Sequence, residues 1–236
     1  MSGSYLREIA PQIGAGLGFR EVHLWQGNPS TAIDTDVLSE DEKQRASRYR
    51  FSEHRAAFMA SRSATRTLLA GYLNCRSRDI RFGYGPFGKP VIAQPSTQLT
   101  FNLSHSGNRM LIAVARELEL GVDIEFEMGC RFTDAISTSM TCSEQARIEQ
   151  APLFFREKLL LRYWTQKEAF LKAVGVGLSF PLTSLHVEFH GAGKTTIRAI
   201  EPTRSICLYG QEIDCGRSYI GALVVDPAVS LCHFQF

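Results

Sequence analysis

Residues 120–127, LGVDIEFE, alternate apolar and acidic side chains. On a strand, Val122, Ile124 and Phe126 point to one face and Asp123, Glu125 and Glu127 to the other. Carboxylates two residues apart on one strand face project side by side, close enough to hold one hard divalent cation. Residues 164–172, WTQKEAFLK, place Glu168 and Lys172 one helical turn apart on a common face. An acid able to complete a cation site there stands beside a base able to meet an anion. The same pattern also fits a polar strand face and an ordinary i,i+4 surface ion pair, and spacing alone does not separate the two.

Cations gather elsewhere in the chain. Lys43, Arg45, Arg48, Arg50, Arg55, Arg62 and Arg66 face a single nearby acid, Glu53. A long helix is predicted over about residues 53–73, ending near Gly71–Asn74. On it Arg55, Arg62 and Arg66 share a stripe, with Phe58, Thr65, Leu68, Leu69 and Tyr72 mostly on the other side. The stripe reads as a solvated basic face, as a phosphate-binding wall, or as a nucleic-acid surface, although stacking aromatics are not interleaved with it. Gly88-Lys89-Pro90 puts a lysine at the tip of a rigid turn. NLSHSG, residues 102–107, offers Ser104, Ser106, His105 and backbone N–H groups in a polar loop that could cradle a phosphate. A plain hairpin connection fits that loop equally well.

The remaining pattern supplies elements to carry these residues. REVHLWQ (20–26) reads as a first strand. Residues 80–92 and 99–117 each read as strand, turn, strand, and 154–177 as the clearest helix, stopped by Gly175 and Gly177. A shorter helix is predicted from a cap near Ser143. LHVEFH and TTIRAI flank a hairpin turn, and three further strands follow to the end of the chain. Three motifs are decoys. GAGLGF (14–19) lacks the third glycine of a dinucleotide fingerprint and a preceding strand, and reads as a loose loop. GAGKTT has Glu188 in place of the leading glycine of a phosphate-binding loop and lies in a hairpin. His186 and His190 have helical metal-ligand spacing but fall on a strand.

The chain has 236 residues, 44% of them hydrophobic and 21% charged, with a net charge of +2. These values indicate a globular protein with a substantial core and no overall polyanion or membrane-surface role. The six cysteines, at 75, 130, 142, 207, 215 and 232, form no CxxC pair and read as reduced thiols, so a cytoplasmic protein is expected. Arg7 and Glu8 interrupt any signal-peptide core, and no apolar stretch reaches membrane-spanning length. Each half carries a long helix and several strands, 1–117 and then 118–236, with no linker rich in Pro, Gly or Ser between them.

The combination FGKP (87–90), FNLSHSG (101–107), GVDIE (121–125) and WTQKEAFLKAVGVGLSFPL (164–182) resembles the 4′-phosphopantetheinyl transferases, of the large two-lobed Sfp-like type. The resemblance implies an α+β fold, a pseudo-dimer of two similar α+β lobes with the active site in the cleft between them. The lobes would be 1–117 and 118–236, and a monomer is expected. It implies transfer of the phosphopantetheine arm of coenzyme A to a serine of an apo acyl or peptidyl carrier protein, releasing adenosine 3′,5′-bisphosphate. Fatty-acid, polyketide and nonribosomal-peptide carriers all qualify as partners; nucleic acid and membrane do not. It implies a magnesium site of Asp123, Glu125 and Glu168. Coenzyme A contacts would come from Arg45, Arg62, Lys89, Pro90, Ser104, His105, Lys167 and Lys172.

In that scheme Glu168 is both metal ligand and general base toward the partner serine, directly or through a water. Lys172 steadies charge at the bridging or leaving oxygen, and His105 holds the 3′-phosphate. Such chemistry needs many cations for the phosphates and a hard metal for the pyrophosphate. The polar segment 131–142 differs from the more apolar stretch expected in relatives, which bears on partner preference. The alternative is a non-catalytic module that holds coenzyme A or a nucleotide.

Overall fold

The computed structural model describes residues 16–32, 34–127, 136–200, 205–225 and 229–235. Of the segment 131–142, residues 131–135 lie outside this range, as do the first two residues of GAGLGF and Cys130. The chain is α+β, and it divides into two compact units. One holds the described residues up to Tyr84 together with Pro90–Glu117 and the last strand from Ser230. The other holds Gly85–Lys89 and the described residues of Leu118–Val229.

The first unit begins with strand β1 (Glu21–Gly27). Helices α1 (Glu40–Ser47) and α2 (Ser52–Leu73) follow, then strands β2 (Arg81–Tyr84) and β3 (Pro90–Gln94), β4 (Leu99–Ser106) and β5 (Arg109–Arg116). The chain's last strand, β11 (Ser230–Gln235), completes it. The main sheet runs β11-β1-β5-β4, while β2 and β3 form a separate ribbon. The carboxylate of Glu42 accepts from the Ser39 backbone N–H at 3.1 Å, which closes the start of α1. Asn74, at φ 49°, ends α2 in the left-handed conformation that asparagine tolerates.

Helix α2 is not amphipathic in the way its sequence suggests. Every described side chain from Ser61 to Ala70 is buried, Arg62 and Arg66 included. Arg66 Nε lies 2.6 Å from Glu42, and its Nη1 donates to the carbonyls of Ser77 and Ile80 at 2.9 and 2.8 Å. Arg62 and Arg66 are therefore not part of a solvated basic face. Arg55 alone of the three stripe arginines is exposed, because neighbouring elements cover the helix on all sides from Ser61 onward.

The second unit contains strand β6 (Leu120–Phe126), helices α3 (Cys142–Gln150) and α4 (Leu153–Val174), and strands β7 (Leu185–Phe189), β8 (Lys194–Ile200), β9 (Ser205–Ile213) and β10 (Tyr219–Val225). The strands form one antiparallel sheet, β6-β10-β9-β8-β7. Phe170, Tyr163 and Leu160 of α4 pack with Val187, Ile197, Ala222 and Val224 of the sheet in its core. Thr141 and Glu144 cap α3 reciprocally. Gly175, at φ 77°, closes α4 through its N–H to the Leu171 carbonyl at 2.8 Å. Among the described residues no helix is long and apolar enough to cross a membrane.

The last strand differs from the expected 118–236 division. β11 pairs in parallel with β1, Glu21 opposite Ser230 through Gln26 opposite Gln235, so this strand belongs to the first unit's sheet. A parallel pair carries no local hairpin signal, which is why its partner is not legible from neighbouring residues.

Candidate active site

Strand β6 carries Asp123 and Glu125 on the face it shares with Gly121. Gly121 explains how a helix reaches them. A Cβ on it would sit 2.0 Å from the Ala169 carbonyl oxygen and 2.4 Å from the Ala173 nitrogen. Only the absence of a side chain lets the α4 backbone lie directly on β6. That contact sets Glu168 and Lys172 beside the strand's acids. Lys172 Nζ donates to Asp123 Oδ1 at 2.6 Å, with the Asp123 side chain 4% exposed and that of Lys172 29% exposed.

Glu168 is the unusual member. One of its oxygens, Oε1, is buried with no hydrogen-bond partner. Burial pushes its carboxyl up to about 7; the Asp123 and Glu125 charges add to that push and the Lys172 ammonium works against it. Three carboxylates within electrostatic reach of one another, one holding an unsatisfied buried oxygen, make a donor set suited to a hard divalent cation. Glu127, just past the end of the strand, pairs instead with Lys158 at 3.7 Å near the surface.

Lys89 belongs to the same unit. Its Nζ donates to the Ala173 carbonyl at 2.8 Å and the Leu120 carbonyl at 3.2 Å, and burial pulls its ammonium down. It thus satisfies a carbonyl of the last turn of α4 and fixes the 85–89 turn to that helix. Two of its three N–H groups are engaged in this way.

Lys167 requires a correction. The resemblance implies that it contacts coenzyme A, but its side chain is 0% exposed. It meets Glu144 at 2.6 Å and donates to the Ser139 and Leu182 carbonyls at 2.9 and 3.0 Å. An ammonium has three N–H groups, and these three oxygens occupy them all. Glu144 in turn accepts from the Val187 backbone N–H at 3.1 Å. Lys167 therefore locks α3, α4 and β7 together and leaves nothing for a phosphate.

In the first unit, Arg45 and Arg62 converge on one ring, their guanidinium carbons 5.5 and 5.6 Å from the Phe58 centroid. Arg62 also lies over Phe82 and Tyr84, at 5.7 and 5.8 Å, and its buried Nη1 has no hydrogen-bond partner. An oxyanion would satisfy that nitrogen. An open cavity of about 540 Å³ is lined by Asp41, Gln44, Arg45, Arg48, Tyr49 and Tyr84. The reading of spacing alone passed over Tyr49 and Tyr84, since isolated tyrosines carry no motif.

Pro90 opens β3 and is half-buried. Ser104 and His105 lie on β4 and not in the polar loop expected of them, with His105 opposite Met110 and Ser106 opposite Arg109. The connection shrinks to Gly107 and Asn108, with Gly107 at φ 54° supplying the tight turn. Ser104 is buried and His105 exposed, as strand alternation requires. Because β4 is an edge strand of its sheet, alternate backbone groups still face away from β5.

Comparison with known proteins gives a consistent result. Residues 119–224 match the 4′-phosphopantetheinyl transferase superfamily, and residues 24–117 match the family described as 4′-phosphopantetheinyl transferase, N-terminal. The chain is 35% identical over 167 residues to the 4′-phosphopantetheinyl transferase HetI of Nostoc sp., covering 67% of this chain and 70% of that one. It is 32% identical over 169 residues to the human L-aminoadipate-semialdehyde dehydrogenase-phosphopantetheinyl transferase, covering 64% of this chain and 52% of the human protein. It is 28% identical over 209 residues to the 4′-phosphopantetheinyl transferase Sfp of Bacillus subtilis, covering 84% of each.

Proposed function

The chain belongs to the 4′-phosphopantetheinyl transferase superfamily, and from that premise we propose that it moves the phosphopantetheine arm of coenzyme A onto a serine of an apo carrier protein, with magnesium, releasing adenosine 3′,5′-bisphosphate. The observation that carries this reading is geometric: the α4 backbone lies against Gly121 of β6, Lys172 donates to Asp123 at 2.6 Å, and one Glu168 oxygen is buried with no hydrogen-bond partner.

Asp123, Glu125 and Glu168 would hold the ion, which when bound supplies charge neutralisation at the pyrophosphate. Glu168 takes the proton of the incoming serine hydroxyl, directly or through a water. The serine Oγ–P bond then forms as the bond from phosphorus to the bridging pyrophosphate oxygen breaks. Lys172 meets the charge growing on that leaving oxygen. The nucleophile comes from the partner, so the chain needs no activated serine or cysteine of its own. Arg45 and Arg62 fit phosphate contacts, and His105, exposed on the edge strand, fits a third; Lys89 has one N–H to offer.

Incubation with coenzyme A, magnesium and a panel of apo carrier proteins tests the proposal, read by intact-mass spectrometry. At least one carrier is expected to gain the arm, and chelation of the metal is expected to stop the gain. Asp123→Ala and Lys172→Ala are each expected to lower transfer by about 100-fold or more. Near-normal transfer by either overturns the assigned roles. Tight coenzyme A binding with no carrier modified would favour a binding module instead.

A further inference from the structure

Glu21 and His23 stand two apart on β1, so their side chains share a face. Cys232 of β11 lies in register beside His23, on the neighbouring parallel strand. One carboxylate oxygen, one imidazole nitrogen and one sulfur thereby come within 4.8 Å of one another. The Glu21 carboxylate bridges the other two, with Oε1 2.9 Å from Cys232 Sγ and Oε2 3.7 Å from His23 Nε2. None of the three belongs to the magnesium and coenzyme A scheme.

The surroundings hold the donors in place. His23 Nδ1 is 2.7 Å from the Tyr72 hydroxyl, which also accepts from Trp25 Nε1 at 2.8 Å. The ring meets Phe234 edge-on at 5.0 Å. A histidine oriented through one nitrogen presents the other, here Nε2, in a fixed direction, as metal-binding histidines do. The Gly18 backbone N–H fixes Glu21 Oε2 at 2.7 Å. The Glu21 side chain is 21% exposed and that of His23 only 4%, so an ion would enter past the carboxylate.

We propose that Glu21, His23 and Cys232 form a zinc site that fastens the terminal strand β11 to β1. A soft thiolate, a borderline imidazole and one carboxylate suit zinc and not magnesium. Ligand bonds of about 2.0–2.3 Å place neighbouring tetrahedral donors roughly 3.5 Å apart. The Glu21–His23 separation already has that length. The shorter sulfur–oxygen distance is a hydrogen bond that opens when the thiol gives up its proton, one proton leaving to solvent per ion bound. A water fills the fourth position. The ion joins residues 209 positions apart in sequence, and so ties down an edge strand that a single neighbour holds in its sheet.

The test uses the full chain, reduced and freed of metal, loaded with zinc or with cobalt as an absorbing stand-in. One tightly held zinc per chain is expected, along with a sulfur-to-cobalt charge-transfer band and intense tetrahedral d–d bands. Cys232→Ser and Glu21→Gln are each expected to weaken cobalt binding at least about tenfold, with Cys232→Ser abolishing the sulfur band. Cys207→Ser, at an exposed cysteine of the other unit, is expected to leave the spectrum unchanged. Absence of the sulfur band in the unmutated chain overturns the site, as does its persistence in Cys232→Ser. The acidic cluster contains no sulfur, so cobalt bound there gives no such band, and the outcome does not depend on transferase activity.

Discussion

Replacing Glu168 by glutamine should make the metal-free protein more stable at neutral and alkaline pH. Folding raises this carboxyl from 4.5 to about 7, because burial and the Asp123 and Glu125 charges outweigh the attraction of Lys172. A folded chain that holds a proton more tightly than the unfolded chain loses stability as pH rises between those two values. Below the unfolded value both states are protonated and the group contributes nothing. Above about 7 the full penalty stands. At 1.36 kcal/mol per unit, a rise of about 2.5 units amounts to about 3 kcal/mol. Loss of the attraction to Lys172, and the need of the new amide for partners, make this an upper value.

For a chain of this size about 3 kcal/mol corresponds to a melting shift of roughly 6–12 °C. Melting curves of the unmutated chain and Glu168→Gln would be compared in chelator from about pH 5 to about pH 8, taking the difference so that other titrating groups cancel. The variant is expected to exceed the unmutated chain only slightly near pH 5 and to melt clearly higher near pH 8. Magnesium should raise the melting point of the unmutated chain more at the alkaline end, where no proton competes for the carboxylate oxygens. It should do little for the variant. A difference that is flat with pH, or a variant that melts lower at pH 8, would refute the electrostatic reading of this cluster.

Gly121→Ala should destabilise the second unit by about 2–3 kcal/mol or more, since the new methyl meets the α4 backbone and no flexible side chain can yield. Urea unfolding and the mass assay should show stability and transfer falling together; a folded variant with full transfer would mean that the helix–strand contact does not set the site. Lys167→Met leaves Glu144 buried without its counter-charge and should cost about 3–5 kcal/mol, whereas Lys167→Met with Glu144→Gln, which removes the charge but keeps an acceptor for the Thr141 and Val187 N–H groups, should recover part of that loss. If Lys167→Met unfolds normally but its KM for coenzyme A rises, the lysine reaches the ligand after all.

The proposed reacting groups were legible because local rules place them. Asp123 and Glu125 share a face through the two-residue repeat of a strand, and Glu168 and Lys172 share one through the turn of a helix. What the pattern could not show is which cation goes where. Lys167 and Lys172 lie in the same run of residues, yet one closes a buried knot with Glu144 and the other meets Asp123. The choice depends on Thr141 and Glu144 capping a helix some twenty residues earlier, whose docking no local spacing encodes. Arg62 and Arg66 misled for the related reason that a helix covered on all sides loses the polar face by which amphipathic patterning is read.

Ser104 and His105 read as loop because hydroxyls and imidazoles are common in turns, whereas the pairing of β4 with β5 extends the strand through Ser106. The parallel union of β1 with β11 is the extreme case, since its two partners are separated by almost the whole chain. Gly121 was present in the GVDIE motif and passed over, although its position two residues before Asp123 puts it on the acidic face. A glycine on the functional face of a strand signals that another backbone must approach there. It accounts for how the two acidic stretches, about 45 residues apart, come to share one site.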